Sequence, residues 1–512
     1  MFRVFNFFHN ITNKQAIIVV FMMACFLAIN SFIILNHNKF YSYLDEDVVS
    51  IIDMSTSFVH EYNIIEYIKN KSFYEIFNLI ETYWKPPAFF IFSLPFLIFI
   101  KNINVFISIL NLIISFITLV SVYGITKRVF SIKAGLLASY ILTFIPLFFV
   151  IHRTFFIEIL LTAMIALVID VVFFNRFNDF KTNMFLSVIL IIAILTKEQV
   201  FIYFPIFLIF AVFSKGNYKT LSNIVNIGIV FLFSFLVSYL LWYYLNAPNI
   251  FKHLLKYSKE TFNTDYLYYL KSFYYFDISS VISFLFIAAC IFLIFKKKYI
   301  HFVISFFFII VIFSLSGNKV SRHIFPVIIF CPIIISLFIF NIRHRYVKNI
   351  LISIILLLLP VQYFMINYLP YRYYFVNHSY NFFRGVTFYD YKPAIQTYKQ
   401  QYEHLTKILG YNFEEKTAFI QVFPPIAYNF LLLQQNRKSN VCKVFIYDDI
   451  PYIRENITNY TNIIISDRDK NIFNSFEEFL LTNSFEKKAK INIYNHDNNE
   501  IWLYTIGTNN RN

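Results

Sequence analysis

From its residues alone, the chain is a polytopic α-helical membrane protein with a C-terminal α/β domain, and three observations carry that prediction. Of its 512 residues, 58% are hydrophobic and only 14% charged, where soluble domains carry about 25% charged residues. Apolar runs of spanning length recur as far as residue 369. Beyond that point polar residues rise and strand-like runs alternate with helix-like ones.

The first run, residues 15–36, follows Arg3 and Lys14. A signal-peptide core is roughly 7–15 residues, whereas a spanning helix needs about 20. The run is of spanning length and no small-x-small cleavage motif follows it, so it is expected to be a retained transmembrane helix. Further runs cover 103–126, 133–151, 154–174, 183–196, 199–214, 221–245, 277–295, 300–316, 322–340 and 349–369. That makes about eleven spans, with eleven to thirteen as the range. The two runs at 183–196 and 199–214 are short, and one of them can be re-entrant. Residues 86–100 are too short to span comfortably and are expected to lie as a helix at the outer surface.

Charge supports this layout through the positive-inside rule. Segments alternating to one side hold fifteen basic residues, among them Lys127, Arg128, Lys133, Lys296, Lys297, Lys298, Arg343 and Arg345, against one acid, Asp179. The loop at 37–86 on the other side holds eight acids against four lysines. Residues 1–369 are therefore expected to form the transmembrane domain, with 37–101 as its first extracytoplasmic loop. The net charge of +15 is then mostly cytoplasmic anchoring and gives no reason to expect nucleic-acid binding. Cys25, Cys290, Cys331 and Cys442 are too scattered for a disulfide framework or a metal motif.

An odd number of spans puts residues 370–512 outside. Strand-like runs there are "TAFIQV", "CKVFIYD", "NIIISD", "INIYN" and "IWLYT", separated by helix-like "IAYNFLLLQQN" and "SFEEFLLTNSF". Their alternation predicts a small, largely parallel α/β sheet. No GxGxxG accompanies it, so a role in capping the membrane part or touching an acceptor is expected rather than cofactor binding.

Several charged motifs converge on the outer side. Asp45, Glu46 and Asp47 follow the first span. Lys85 precedes Pro86 and Pro87, which fix the backbone at the start of the surface helix. His152 and Arg153 end one span, and Glu158 lies about one turn inside the next. A carboxylate at that depth must face protein, a partner charge or water, and Arg153 is near enough in sequence to be its partner. Lys197 and Glu198 occupy a very tight turn, and Lys319, Arg322 and His323 reach the same side. Carboxylates and cations at an interface suit transfer of a sugar from a polyprenyl phosphate. Such a reaction needs a base for the acceptor's proton and cations for the departing phosphate.

The order of these motifs is that of a known superfamily. An Asp-Glu pair follows the first helix, then come "WKPP", "VYGITKRVFSIKAGLLASYILTFIP", the Arg-x4-acid of "RTFFIE" and "LTKEQ". Over roughly residues 15–215 the chain resembles the GT-C membrane glycosyltransferases of the protein O-mannosyltransferase and lipid A aminoarabinose transferase superfamily. The resemblance implies Asp45 as catalytic aspartate with Glu46 as its neighbouring acid. It implies Lys85, Arg153 and Lys197 at the donor phosphate, with Lys319, Arg322 and His323 as further cations there. Glu158 stands where the family has a second aspartate, and with Asp45 it offers hard oxygen ligands for a divalent cation, Mg²⁺ or Mn²⁺. Three motifs depart from the pattern: Glu158 is longer by a methylene, "TKEQ" lacks the usual glycine, and Val48 and Val49 stand where the aminoarabinose transferases carry an arginine.

The implied function is inverting transfer of a monosaccharide from a polyprenyl-phosphate donor to a lipid, glycan or protein acceptor. The setting implied is the periplasmic face of a bacterial inner membrane. Other readings are a lipid-linked oligosaccharide ligase or polymerase, a lipid or sugar transporter or flippase, and an inactive relative whose outer domain binds a partner. A transporter would place charge or broken helices near the midplane, and the spans look almost free of such charge.

Overall fold

The computed structural model describes residues 11–36, 86–100, 103–152, 156–174, 180–213, 220–244, 266–274, 278, 280–297, 299–315, 321–368, 417–420, 443–445, 450–466, 470–490 and 501–506. It divides into two compact units, one of helices up to residue 368 and one holding the sheet after residue 392.

In the helical unit an α-helix lies on each predicted run. These are α1 (Asn13–Asn36), α2 (Ala88–Phe99), α3 (Ile103–Val129), α4 (Ile132–Thr143), α5 (Pro146–Ile151), α6 (Ile157–Phe174) and α7 (Phe180–Ile194). They continue as α8 (Val200–Val212), α9 (Thr220–Ser238), α10 (Tyr268–Ser272), α11 (Ser280–Phe295), α12 (Ile300–Leu315), α13 (Phe330–Asn341) and α14 (Arg345–Tyr368). Among the described residues, five stretches are long and apolar enough to cross a membrane: Asn13–Ile33, Val105–Val129, Asn223–Tyr243, His323–Asn341 and Arg345–Phe364. Shorter apolar helices accompany them, α7 and α8 included. Exposed apolar side chains such as Met22 on α1, Leu232 on α9 and Leu357 on α14 give the unit a surface suited to lipid rather than water.

Three predicted runs are not single α-helices. The run at 133–151 breaks between Thr143 and Pro146, because proline has no N–H and crowds the preceding turn. The run at 322–340 begins as a 3-10 helix, Ser321–Ile329, containing Pro326. The run at 221–245 ends in a π-helical turn, Tyr239–Tyr243, a geometry often found at functional sites.

Helix α6 is the centre of the unit. It is apolar on all sides, and Ile159, Leu160, Ala163, Ile165, Val168 and Ile169 are all fully buried, as expected of a helix with no polar face. It packs on α7, α8 and the 3-10 helix, while α4 packs on α1 and α13.

Polar contacts mark the two ends of this unit. At one end, Tyr123 Oη and Lys127 Nζ both donate to Asn13 Oδ1, at 2.8 and 2.7 Å. At the same end Arg128 Nη1 lies 3.0 Å from Asp170 Oδ1. These bonds bring the start of α1, the end of α3 and the end of α6 to one level, where the charge pattern places the basic side. Asp170 was not singled out in the sequence, since it lies inside an apolar run. Glu158 is at the opposite end of α6, about 18 Å away at 1.5 Å per residue.

Among its described residues the second unit carries a five-stranded sheet of order β2-β1-β3-β5-β4. Its strands are β1 (Thr417–Ile420), β2 (Lys443–Phe445), β3 (Asn462–Ser466), β4 (Phe485–Lys490) and β5 (Ile501–Ile506). Strands β2, β1 and β3 are parallel, but β5 is antiparallel to both β3 and β4. The sheet is thus mixed rather than largely parallel. Residues 491–500 leave ten positions between β4 and β5, too few for the dozen or more of a parallel crossover. Strand β4, "FEKKAK", escaped the sequence reading because it is a charged edge strand with little apolar alternation. The run "INIYN" and the helix-like "IAYNFLLLQQN" lie outside the described residues. Helix α15 (Lys470–Thr482) covers one sheet face, burying Phe473, Phe476 and Leu480 against Ile463, Ile465 and Tyr504.

Candidate active site

The site is built where three chain segments meet at the Glu158 end of α6. The first is the α7–α8 turn. Helix α7 closes with Leu195 N–H donating to Ile191 O, and both Thr196 and Lys197 N–H donating to Ala193 O. The Thr196 hydroxyl adds a 2.6 Å bond to Ile192 O. Helix α8 then opens with bonds from Val200, Phe201 and Ile202 N–H to the carbonyls of Lys197, Glu198 and Gln199. The spacing of three residues makes this opening tight, and residues 195–199 form the compact turn that the sequence predicts.

The second segment is the start of α2. Ala88 N–H donates to Leu195 O at 2.8 Å. This bond pins the end of the Pro86–Pro87 motif onto the α7–α8 turn, and both prolines are buried. Two motifs separated by about a hundred residues in sequence thereby become one piece of backbone.

The third segment is the start of α6. Glu158, its second residue, is 3% exposed, and Lys197 Nζ donates to its Oε1 at 2.7 Å. A carboxylate in the first turn also meets the positive end of the helix dipole. His323, on the 3-10 helix packed against α6, is within electrostatic reach of Glu158. On the neighbouring side, Tyr243 Oη of the π-helical turn donates to Ile194 O at 3.0 Å.

Of the residues singled out in the sequence, Glu158, Lys197 and His323 are therefore brought together. Arg322 lies beside His323 in the 3-10 helix. Asp45, Glu46, Lys85, Arg153 and Lys319 lie outside the described residues. Glu158 and Lys197 had been given separate roles, carboxylate ligand and phosphate cation, and here each is the other's partner.

His152, which caps α5, turns inward instead. Its Nδ1 is 2.6 Å from Phe148 O, its ring packs on Phe148 and Phe325, and Asn111 Nδ2 donates to its carbonyl at 2.7 Å. It holds α3, α5 and the 3-10 helix together.

Asp45, expected to share a divalent cation with Glu158, lies outside the described residues. Among the described residues no three His, Cys, Asp or Glu side chains gather as a ligand set. The Lys197 ammonium meets one carboxylate oxygen of Glu158, Oε1.

Residues 85–242 match a family model described as dolichyl-phosphate-mannose-protein mannosyltransferase. The start of α2, the start of α6 and the α7–α8 turn fall inside that match, while Tyr243 and the 3-10 helix lie beyond it. Among curated proteins no sequence matches the chain. Among solved structures, the chain is similar to ArnT from Cupriavidus metallidurans bound to undecaprenyl phosphate. That likeness has a TM-score of 0.55 and 12% identity, over 94% of this chain and 97% of that one. ArnT from the same organism in the apo state gives a TM-score of 0.55 and 12% identity, over 96% and 98% of the two chains. At this identity the likeness speaks for the fold, and it runs nearly the full length of both proteins. The chain is an integral membrane protein with the GT-C fold, and the Glu158–Lys197 pair lies within the residues 85–242 that match the mannosyltransferase model.

Proposed function

We propose that the protein transfers a monosaccharide from a polyprenyl-phosphate carrier to a hydroxyl on a lipid, glycan or protein acceptor. The observation that carries this reading is the buried Glu158–Lys197 pair, fixed beside the Pro86–Pro87 motif within the mannosyltransferase-type segment. The solved relative bound to undecaprenyl phosphate supports a carrier of that class. In this reading the site faces the periplasm from a bacterial inner membrane, where a carrier phosphate sits at the interface and its sugar in water.

Asp45 is the general base in this mechanism, and Glu46 supports it. Asp45 removes the proton from the acceptor hydroxyl as that oxygen bonds to the anomeric carbon. The bond from that carbon to the phosphate oxygen breaks on the opposite face, so the configuration inverts and polyprenyl phosphate leaves. Lys85 and Arg153, with Lys319, Arg322 and His323, stabilise the charge on the departing phosphate. Glu158 and Lys197 hold the α7–α8 turn and the start of α2 in place for that step. No part of the mechanism is routed through a metal ion.

The test compares surface lipids and glycans by mass spectrometry in cells with the gene, without it, and with Asp45→Asn. The expected result is a sugar modification present only with the wild-type gene, and a fall in transfer of about 10²–10⁴-fold for the variant. Identical profiles with and without the gene would overturn the reading. Near-normal transfer by Asp45→Asn would remove Asp45 from its role.

A further inference from the structure

The segment after Lys197 carries two polar groups that the ion pair does not use. Gln199 stands just before α8 and Tyr203 one turn inside it, so the two share one helix face. Tyr203 is 0% exposed, and its hydroxyl has no hydrogen-bond partner among the described residues. The Gln199 amide oxygen is also buried and unpartnered, and the side chain makes no capping bond to α8.

From Tyr203 a continuous series of side chains leads back to the ion pair. Its phenol is within electrostatic reach of Tyr269 on α10. The Tyr269 ring meets Phe313 of α12 edge-on at 6.2 Å, and Phe313 stacks on His323 at 6.4 Å. His323 lies within electrostatic reach of Glu158, and Glu158 holds Lys197, two residues before Gln199. The ring closes on itself, drawing on α6, α8, α10, α12 and the 3-10 helix.

A buried hydroxyl without a partner destabilises a fold, and phenylalanine would fill nearly the same volume without that cost. A hydroxyl-bearing ligand entering the ring would give the Tyr203 hydroxyl its missing partner. Charge identifies its class. Glu158 and Lys197 neutralise each other, and neither Tyr203 nor Gln199 carries the positive charge that a phosphate requires. A sugar hydroxyl both donates and accepts, which matches a phenol that does the same and an amide oxygen that accepts.

We infer that Tyr203 and Gln199 hydrogen-bond hydroxyl groups of the transferred sugar, making this ring the sugar-recognition part of the donor site. The inference rests on the glycosyl-transfer reading above and adds where the sugar, as distinct from the phosphate, is recognised. A site that hydrogen-bonds a substrate hydroxyl rejects ligands lacking it, so Tyr203 and Gln199 set which carrier lipid is accepted.

Full-length wild type and Tyr203→Phe, purified in detergent, are each offered lipids extracted from host membranes. Retained undecaprenyl phosphate and its sugar-bearing forms are then measured by mass spectrometry. Wild type is expected to enrich a sugar-bearing form over the bare phosphate. Tyr203→Phe should lose about three- to tenfold of that enrichment, bind the bare phosphate as before, and melt at the same or a higher temperature. Gln199→Leu should lose enrichment in the same direction. Unchanged enrichment in Tyr203→Phe overturns the inference, and so does a loss that comes with a lower melting temperature, because the hydroxyl would then be structural. A wild type that enriches no sugar-bearing lipid defeats the donor reading itself.

Discussion

Lys197 Nζ and Glu158 Oε1 lie 2.7 Å apart, joining the α7–α8 turn to the buried start of α6. Neither residue is well placed alone: an unpaired carboxylate at 3% exposure would carry a large desolvation cost. The pair fixes the turn that also receives the Ala88 N–H, so it positions two of the site's three segments.

Removing one partner should therefore damage the protein more than removing both. Lys197→Met leaves a buried charge and is expected to cost about 3–5 kcal/mol. The double variant Lys197→Met with Glu158→Gln should recover most of that loss. Thermal unfolding of all four proteins in one detergent gives the coupling, and additive losses would show that the two side chains do not act as a pair.

Glu158→Asp separates charge from reach. The shorter side chain keeps the carboxylate but withdraws it from an ammonium now at 2.7 Å. Folding should be nearly retained, with the melting temperature closer to wild type than that of Glu158→Gln. Transfer should fall more than stability does, because the α7–α8 turn would shift relative to the bound donor. Wild-type turnover in this variant would show that the carboxylate's exact position does not matter.

Two glycines give opposite expectations. A Cβ on Gly135 of α4 would stand 2.7 Å from the Tyr123 carbonyl oxygen and 2.8 Å from its Cδ2. Gly135→Ala must push α4 away from α3 and should cost about 1–3 kcal/mol. At Gly228 in α9 nothing lies within 4 Å of such an atom, so Gly228→Ala should be neutral or stabilise by up to about 1 kcal/mol through helix propensity. Melting temperatures of the two variants check both statements.

In the sheet unit, Glu477 accepts from Lys487 Nζ at 2.7 Å and from Tyr504 Oη at 2.6 Å. Burial pushes the Glu477 carboxyl upward, but the Lys487 and Tyr504 bonds outweigh it and hold the group below its ordinary range. A carboxyl that is depressed in the folded state stabilises it above the unfolded pKa, about 4.3. That contribution is lost as pH falls through the lower folded value. Glu477→Gln should thus weaken this unit at pH 7, with the difference from wild type shrinking below about pH 4. Hydrogen exchange in β4 and β5 of the full-length protein measures it, and a gap that widens toward low pH would contradict the pairing.

The membrane class was legible because it depends on composition and run length, which a linear sequence carries in full. The outer acids, "WKPP", "RTFFIE" and "LTKEQ" were legible as interruptions of apolar runs. Partnership was not. Arg153, the partner expected from proximity in sequence, lies outside the described residues, and the structure supplies Lys197, thirty-nine positions on from Glu158. Tyr203 passed unnoticed in "LTKEQVFIYFP", since a tyrosine in an apolar helix is ordinary. A signal was present in its spacing of four from Gln199, but only burial shows that its hydroxyl lacks a partner. Asp170 was hidden in the same way, and Arg128 on α3 explains it.

The sequence by itself determined that the chain enters a membrane, where its helices lie and where a sheet follows, because hydrophobicity and periodicity are local properties. Folding decided which charges neutralise one another, which polar groups are left for a ligand and how strands pair. Those outcomes depend on distances across helices far apart in the chain. In this protein the decisive one is the short gap between Lys197 and Glu158, which turns a tight loop and a buried carboxylate into one side of a site.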